Sequence, residues 1–309
     1  MLKLRLQALP MLKALIRKYR KIMWIIYALA SAFFAGVMSI LAKIGIKNVD
    51  SNLATALRTV VVIIFAWLMV FIVGSHREIP DIDSHSLIFL ILSGFATGAS
   101  WLCYFRALKL GDINKVVPID KSSTVLTIIL SFIFLGESLN PLKLLAIALI
   151  GTGTYLMIER KEAGNAQTKN DARWLFYAIL AAVFASLTAI LGKIGISNIE
   201  SNLGTAVRTI VVLLMAWLIV FVKGKQREIR QIEKRSWIFL VLSGIATGLS
   251  WLCFYRALKE GPASIVVPID KLSIVVTIAF GYFLLHEKLN KKPLVGLVLI
   301  VAGTMSLLL

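Results

Sequence analysis

The sequence predicts an all-α membrane protein of ten transmembrane helices, arranged as two inverted five-helix repeats. Three observations carry this. The 309 residues are 59% hydrophobic and 16% charged, with a mean hydropathy of +0.86, where a soluble domain carries about 25% charge. Apolar runs recur at close to the ~20 residues a helix needs to cross a bilayer. The second half of the chain restates the first without a gap, at an offset of 150 residues: Lys43-Ile44-Gly45-Ile46 returns as Lys193-Ile194-Gly195-Ile196, and Ser100-Trp101-Leu102-Cys103 as Ser250-Trp251-Leu252-Cys253.

Residues 1–22 form a basic amphipathic segment in which Lys3, Arg5, Lys13, Arg17, Lys18, Arg20 and Lys21 alternate with leucine and isoleucine. Such a segment suits an anionic membrane surface. It has no small-residue cleavage site after a separate apolar core and does not read as a cleavable signal. Met23 offers an alternative start, which would make the segment an extension without a role. The first repeat, 23–158, holds expected spans at 24–46, 53–73, 87–107, 116–135 and 141–158. A polar linker, 159–173, follows. The second repeat, 174–309, holds spans at 174–196, 203–222, 237–258, 266–285 and 292–309.

Five is odd, so the second repeat must sit upside down relative to the first, an arrangement common among secondary transporters. The net charge of +18 then reads as loop charge that sets orientation, not as a nucleic-acid surface. Lysine and arginine concentrate in the connections after spans 1, 3, 5, 7 and 9. That places these connections in the cytoplasm and both termini outside, while the basic leader pulls the other way.

The stretch Val117-Pro118-Ile119-Asp120-Lys121 recurs as Val267-Pro268-Ile269-Asp270-Lys271. Proline is tolerated in a first helical turn, so each copy reads as the opening of a span. Charge at membrane depth is costly and marks function by default. Lys43, Lys193, Arg106 and Arg256 lie near span ends and are expected to snorkel. A short aspartate cannot. Lys121 points about 100° away from Asp120 around the helix, so Arg58, or a basic residue of another span, is the expected partner of Asp120. Inversion carries the mates Arg208, Asp270 and Lys271 to the opposite face. Each mouth thereby gains a similar polar cluster, as two alternating gates require.

Helix periodicity extends these clusters into a cavity. Asp120, Thr124, Thr127 and Ser131 make one polar stripe. Ser51 or Asn52, Thr55, and Arg58 with Thr59 make another. The second half keeps Asp270 and Thr277 but has Ile274 and Gly281 at the mates of Thr124 and Ser131, so the pocket is asymmetric. Trp101 and Trp251, beside small polar residues, are candidate walls, while Trp67 and Trp217 read as packing residues. Gly94-x-x-x-Gly98 and Gly244-x-x-x-Gly248 allow close helix contact.

Cys103, Cys253 and the scattered His76, His85 and His286 show no ligand spacing. No catalytic triad, phosphate loop or metal motif is present. The sequence therefore predicts no enzyme, no cofactor and no metal, and without a nucleotide-binding motif no primary pump. The expected partners are the bilayer and a small-molecule substrate, with no nucleic acid; a homo-oligomer stays open.

The ten spans in two halves, Leu135-Gly136-Glu137 closing span 4 and the Gly151-Thr152-Gly153 of the last span resemble the EamA-like family of the drug/metabolite transporter superfamily over residues 23–309. Each half also resembles the single-half members of that family, which implies duplication and fusion. The resemblance implies a substrate path surrounded by the first four helices of each half, a peripheral fifth helix, and Glu137 and Glu287 ending the fourth helices. The reading is a plasma (inner) membrane secondary transporter of a small metabolite or drug-like solute, working by alternating access. Asp120 and Asp270 would serve in gating ion pairs or proton coupling. The alternatives are a lipid-linked-sugar flippase, with Arg58, Arg106 and Lys121 at a basic mouth, a passive channel, or a non-transporting membrane subunit.

Overall fold

The structure, a computed structural model, describes residues 2–46, 49–110, 116, 119–157, 173–285 and 291–308, with side chains from residue 22 onward except those of 105, 108, 109, 284 and 285. Every regular element among them is helical. In chain order they are α1 (Leu2–Gly45), α2 (Ser51–Val73), α3 (Ser84–Leu110), α4 (Ser123–Leu135), α5 (Pro141–Leu156), α6 (Arg173–Gly195), α7 (Ser201–Val222), α8 (Lys234–Glu260), α9 (Ala263–Lys271), α10 (Ser273–Leu285) and α11 (Lys291–Ser306), with short 3-10 turns at Ser75–Asp81 and Lys225–Gln231. Seven helical stretches are long and apolar enough to cross a membrane, with α9 and α10 together supplying one, Ala263–Phe283. The described parts of the fourth, fifth and tenth expected spans are shorter: thirteen residues in α4 and sixteen each in α5 and α11. The basic leader is not set apart from the first span, because α1 runs through both without a break. Most of the expected linker, and Glu287 and His286, lie outside the described residues.

Local chemistry fixes the helix ends. Asp50 caps α2 by accepting from the amides of Asn52 and Leu53, and its repeat mate Glu200 caps α7 through the amides of Asn202 and Leu203. Asn140 caps α5 with Pro141 in the first turn, where a missing N–H costs nothing.

The second aspartate motif departs from expectation. Pro268 does not open a helix: α9 begins at Ala263, behind Pro262, and Pro268 lies in its interior. Asp270 and Lys271 therefore end a half-helix. The chain turns at Leu272, whose amide bonds to Ile269 O at 2.9 Å, and restarts as α10. The first half breaks at the mate position, where the Ser122 amide bonds to Ile119 O at 3.2 Å and the Ser122 hydroxyl takes the same carbonyl at 2.6 Å. Val117 and Pro118 lie outside the described residues. A proline has no N–H to give the preceding turn, and the fourth span of the second half is two helices meeting at the charged pair.

Packing respects exchange of the halves. α1 lies on α8 as α3 lies on α6; α2 lies on α8 as α3 lies on α7; α1 lies on α10 as α4 lies on α6. α2 with α7, and α5 with α11, pair with their own mates. Small residues set these contacts, as the glycine pairs predict. A Cβ on Gly94 would lie 2.6 Å from the Cβ of Val211, and one on Gly244 would lie 2.6 Å from that of Val61. Gly98 meets Met215 and Gly248 meets Phe65, so α3 runs parallel to α7 and α2 parallel to α8. α5 and α11 are antiparallel: Gly153 faces Gly296 O, while Gly303 faces Leu149 and Ala146 O. Between helices in lipid there is no hydrophobic drive, so this close approach is what holds them together.

The molecule is apolar outside and polar within. Ile64 and Ile72 of α2 are 64% and 67% exposed, and their mates Leu214 and Val222 of α7 are 64% and 79% exposed. Ser31, Ser93, Thr205, Arg208 and Ser243, by contrast, are fully or almost fully buried. A soluble fold would reverse that pattern, and lipid demands it.

Candidate functional site

Two cavities lie along the seam between the halves. The larger, about 310 Å³, takes lining residues from eight helices, with α9 and α10 contributing on either side of their break. They include Thr97 (α3), Thr127 (α4), Thr188 (α6), Arg208 (α7), Ser250, Trp251 and Tyr255 (α8), and Asp270 and Lys271 at the end of α9. The smaller, about 260 Å³, is lined from α1, α2, α3 and α8 by Met38, Thr55, Arg58, Thr59, Val62, Trp101, Thr247 and Trp251. Met38 and Trp251 border both. Among the described residues neither α5 nor α11 lines either cavity, in keeping with peripheral fifth helices.

The arginines are held by their own repeat logic. Arg208 Nη2 donates to Thr97 Oγ1 at 2.8 Å and Nε to Ser93 Oγ at 3.3 Å. Arg58 Nη2 donates to Thr247 Oγ1, the mate of Thr97, at 2.9 Å. Both bonds cross from one half to the other. The Arg208 guanidinium also lies 4.6 Å from the Tyr255 ring centroid and 5.3 Å from that of Trp251, within reach of cation–π attraction. The arginines thus bond to threonines, and Arg58 is not the partner expected for Asp120.

Asp270 accepts from Ser31 Oγ at 2.6 Å, and Ser31 in turn lies 3.2 Å from Ser250 Oγ. This hydroxyl chain exists in one half only, because the mate of Ser31 is Ala181. Tyr255 belongs to the same wall, its ring under the Arg208 guanidinium in the cavity that Asp270 also lines. Its mate is Phe105, so the hydroxyl too belongs to one half. The carboxylate, the guanidinium and the aromatic faces make a site that can hold a small polar or amphipathic solute.

The expected residues divide. Arg208, Asp270, Lys271, Thr127 and Trp251 line the larger cavity, while Arg58 and Trp101, with Trp251, line the smaller. Asp120, Lys121, Thr124, Ser131 and Thr277 line neither. Thr124 and Ser131 are buried in packing, and Ser131 Oγ turns back to Ile128 O. Thr277 Oγ1 bonds to Ser273 O. Lys121 is exposed and stands just before the start of α4, the helix that packs against α9.

The sequence reading missed Ser31, Tyr255 and the role of Glu137. Glu137 stands just past the C-terminal end of α4, and its carboxylate reaches across to the start of α9. There it accepts the Ala263 amide at 2.6 Å, the Ser264 amide at 3.1 Å and the Ser264 hydroxyl. Lys193 and Lys143 stand 3.8 and 3.9 Å away, and Lys193 also donates to Gly261 O. Lys193 therefore does not snorkel: a buried carboxylate is a better partner than the headgroups. Arg256 pairs with Glu260 at 2.6 Å and lies 3.8 Å from Glu200, so it too has carboxylate partners. The usable signal was Glu137 itself, an acid beside an apolar helix end.

The model of the EamA-like transporter family matches residues 22–159 and again 172–309. A Sinorhizobium sp. protein described as an uncharacterized transporter is 46% identical over 134 residues, 43% of this chain and 95% of that protein. It is a relative of about half this chain's length. An uncharacterized transporter of Archaeoglobus fulgidus is 26% identical over 290 residues, covering 92% of this chain and 98% of its own. A solved crystal structure shares the fold with a TM-score of 0.75 at 16% identity, over 92% of this chain and 96% of that one. With both repeats matched and seven apolar helices long enough to span a bilayer, the chain belongs to the EamA-like transporter family of multi-pass membrane proteins.

Proposed function

We propose that this protein is a secondary transporter of the plasma (inner) membrane, moving a small polar or amphipathic solute by alternating access, and that it is not an enzyme. In this reading the chain crosses the bilayer ten times, with the halves inverted. Helix register supports the inversion. Neighbouring spans within a half alternate in direction, yet α2 runs parallel to α8, the third span of the other half, and α5 runs antiparallel to its own mate α11. Both relations are what a turned-over second half would give.

The observation that carries the reading is the larger cavity. It puts a fully buried arginine and an aspartate at the end of a broken helix into one space enclosed by elements of both halves. Half-helix ends at the repeat interface are how transporters present charge at membrane depth. Asp270 is the candidate coupling group, and Arg208 with Trp251 and Tyr255 forms the solute-binding wall. Asp120, outside both cavities, is assigned to the gate where α4 meets α9.

The test uses purified protein in liposomes with a trapped pH dye, challenged with panels of amino acids, nucleosides and amine drugs. Saturable, solute-dependent proton movement that Asp270→Asn abolishes supports the reading. Silence across all panels from folded protein overturns coupled transport and favours uncoupled exchange or lipid flipping.

A further inference from the structure

The two cavities differ in their charged groups. The larger sets a carboxylate, Asp270, among two cations, Arg208 and Lys271. Among the described residues, Arg58 is the only charged group lining the smaller one. Arg58 Nη2 is engaged with Thr247, while its Nε is buried with no hydrogen-bond partner. An arginine cannot shed its charge by deprotonation. A half-buried guanidinium whose Nε is cut off from water and that has no counter-charge is unfavourable, and more so at membrane depth.

The surrounding hydroxyls cannot serve as additional donors to an incoming ion. Thr55 donates to Ser51 O at 2.7 Å, Thr59 to Thr55 O at 2.8 Å and Thr247 to Ser243 O at 2.7 Å. Their hydrogens are already used, so among the charged and hydroxyl groups of the lining the guanidinium alone has N–H groups to offer, with Trp101 and Trp251 as walls. A space of about 260 Å³ is below the usual range for drug-sized ligands, and suits a small ion.

We propose that the Arg58 cavity is an anion site that takes one small monovalent anion, a halide or a short-chain carboxylate, as the counter-charge the protein does not supply. The anion meets Nε and the remaining Nη hydrogens of Arg58, a geometry that accepts a carboxylate through two bonds or a halide through one or two. The site is separate from the Asp270 cavity and its occupancy does not depend on the protein being a transporter.

The experiment is equilibrium dialysis of the purified full-length protein in detergent, without any ion gradient, against radiolabelled chloride and radiolabelled propionate. Wild type is expected to bind one equivalent saturably. Arg58→Gln should weaken binding about tenfold or more, and Arg58→Lys should retain part of it. Thr55→Asp places a carboxylate one helical turn from Arg58 and should abolish binding by neutralising the site from within. Thr55→Asn, of the same size as aspartate and uncharged, controls for the change of shape and should bind clearly more tightly than Thr55→Asp. That pair decides the matter if Arg58→Gln does not fold. Tighter chloride binding identifies an inorganic ion, and tighter propionate binding identifies a solute carboxylate. No saturable binding of either ion to wild type, or unchanged binding in the folded Arg58→Gln and Thr55→Asp variants, overturns the proposal.

Discussion

Replacing Glu137 by alanine tests the contact that joins the two fourth spans. Its carboxylate accepts two backbone amides and the Ser264 hydroxyl at the start of α9, with Lys193 and Lys143 just within ion-pair range. The side chain is 11% exposed, so water does little to screen these bonds. A hydrogen bond to a charged group contributes about 1.5–3 kcal/mol, and breaking one partner of a buried ion pair costs about 3–5 kcal/mol. These contributions overlap, because Lys193 keeps the Gly261 carbonyl. About 4 kcal/mol is therefore the expected loss, or a fall of about 8 °C in melting midpoint at ~2 °C per kcal/mol for a large chain. Glu137→Gln keeps an oxygen for the Ala263 amide and loses the charge, and should fall about half as far. Melting in detergent followed by tryptophan fluorescence reads both. An alanine variant within about 1 °C of wild type would refute the assignment of Glu137 as a structural tie.

Three further expectations follow from the same contacts. Asp270→Asn should abolish flux in the liposome assay and Ser31→Ala should reduce it, while Asp120→Asn should impair it less than Asp270→Asn because Asp120 is outside the cavity; equal loss at both aspartates would contradict that asymmetry. Gly192→Ala puts a Cβ 2.7 Å from the Tyr255 ring, an overpacking worth about 1–3 kcal/mol. It should lower both the melting midpoint and the flux, by pushing Tyr255 off Arg208. Outside the membrane, burial pushes the Asp50 carboxyl up, but hydrogen bonds from the Asn52 side chain and the Leu53 and Asn52 amides outweigh it and hold it below the usual carboxylate range. A depressed folded-state value means that the stabilisation is present above the unfolded value of about 3.9 and is lost as pH falls through the folded one. The stability gap between wild type and Asp50→Asn, which keeps a capping oxygen but does not titrate, should therefore shrink below about pH 4 in melts taken across acid pH.

Composition and spacing were enough to read the helical membrane class, the repeat and the close-packing glycines, because each is a local or periodic property. Gly94 and Gly244 could be recognised as contact points from a four-residue spacing, though their partners Val211 and Val61 could not. Arg58 and Arg208 were legible as intramembrane charge. Their threonine partners were not, since Thr97 and Thr247 come from the opposite half and a threonine in a membrane helix carries no mark of what it will face. The proline motif misled for a related reason. Proline at a first turn and proline before a helix break look alike in sequence, and only the cap that Glu137 provides from α4 shows that α9 starts five residues earlier, at Ala263.

The sequence by itself determined that this chain is a duplicated bundle of apolar helices with charge at repeated positions, because hydropathy and repetition are written along one dimension. The tertiary structure alone decided which of those charges share a space. Asp270 and Arg208 meet in one cavity while Asp120 and Arg58 do not, although their sequence contexts nearly match. Small differences at distant positions decide this, Ser31 against Ala181 and Tyr255 against Phe105, and they act only once helices of opposite halves are packed face to face.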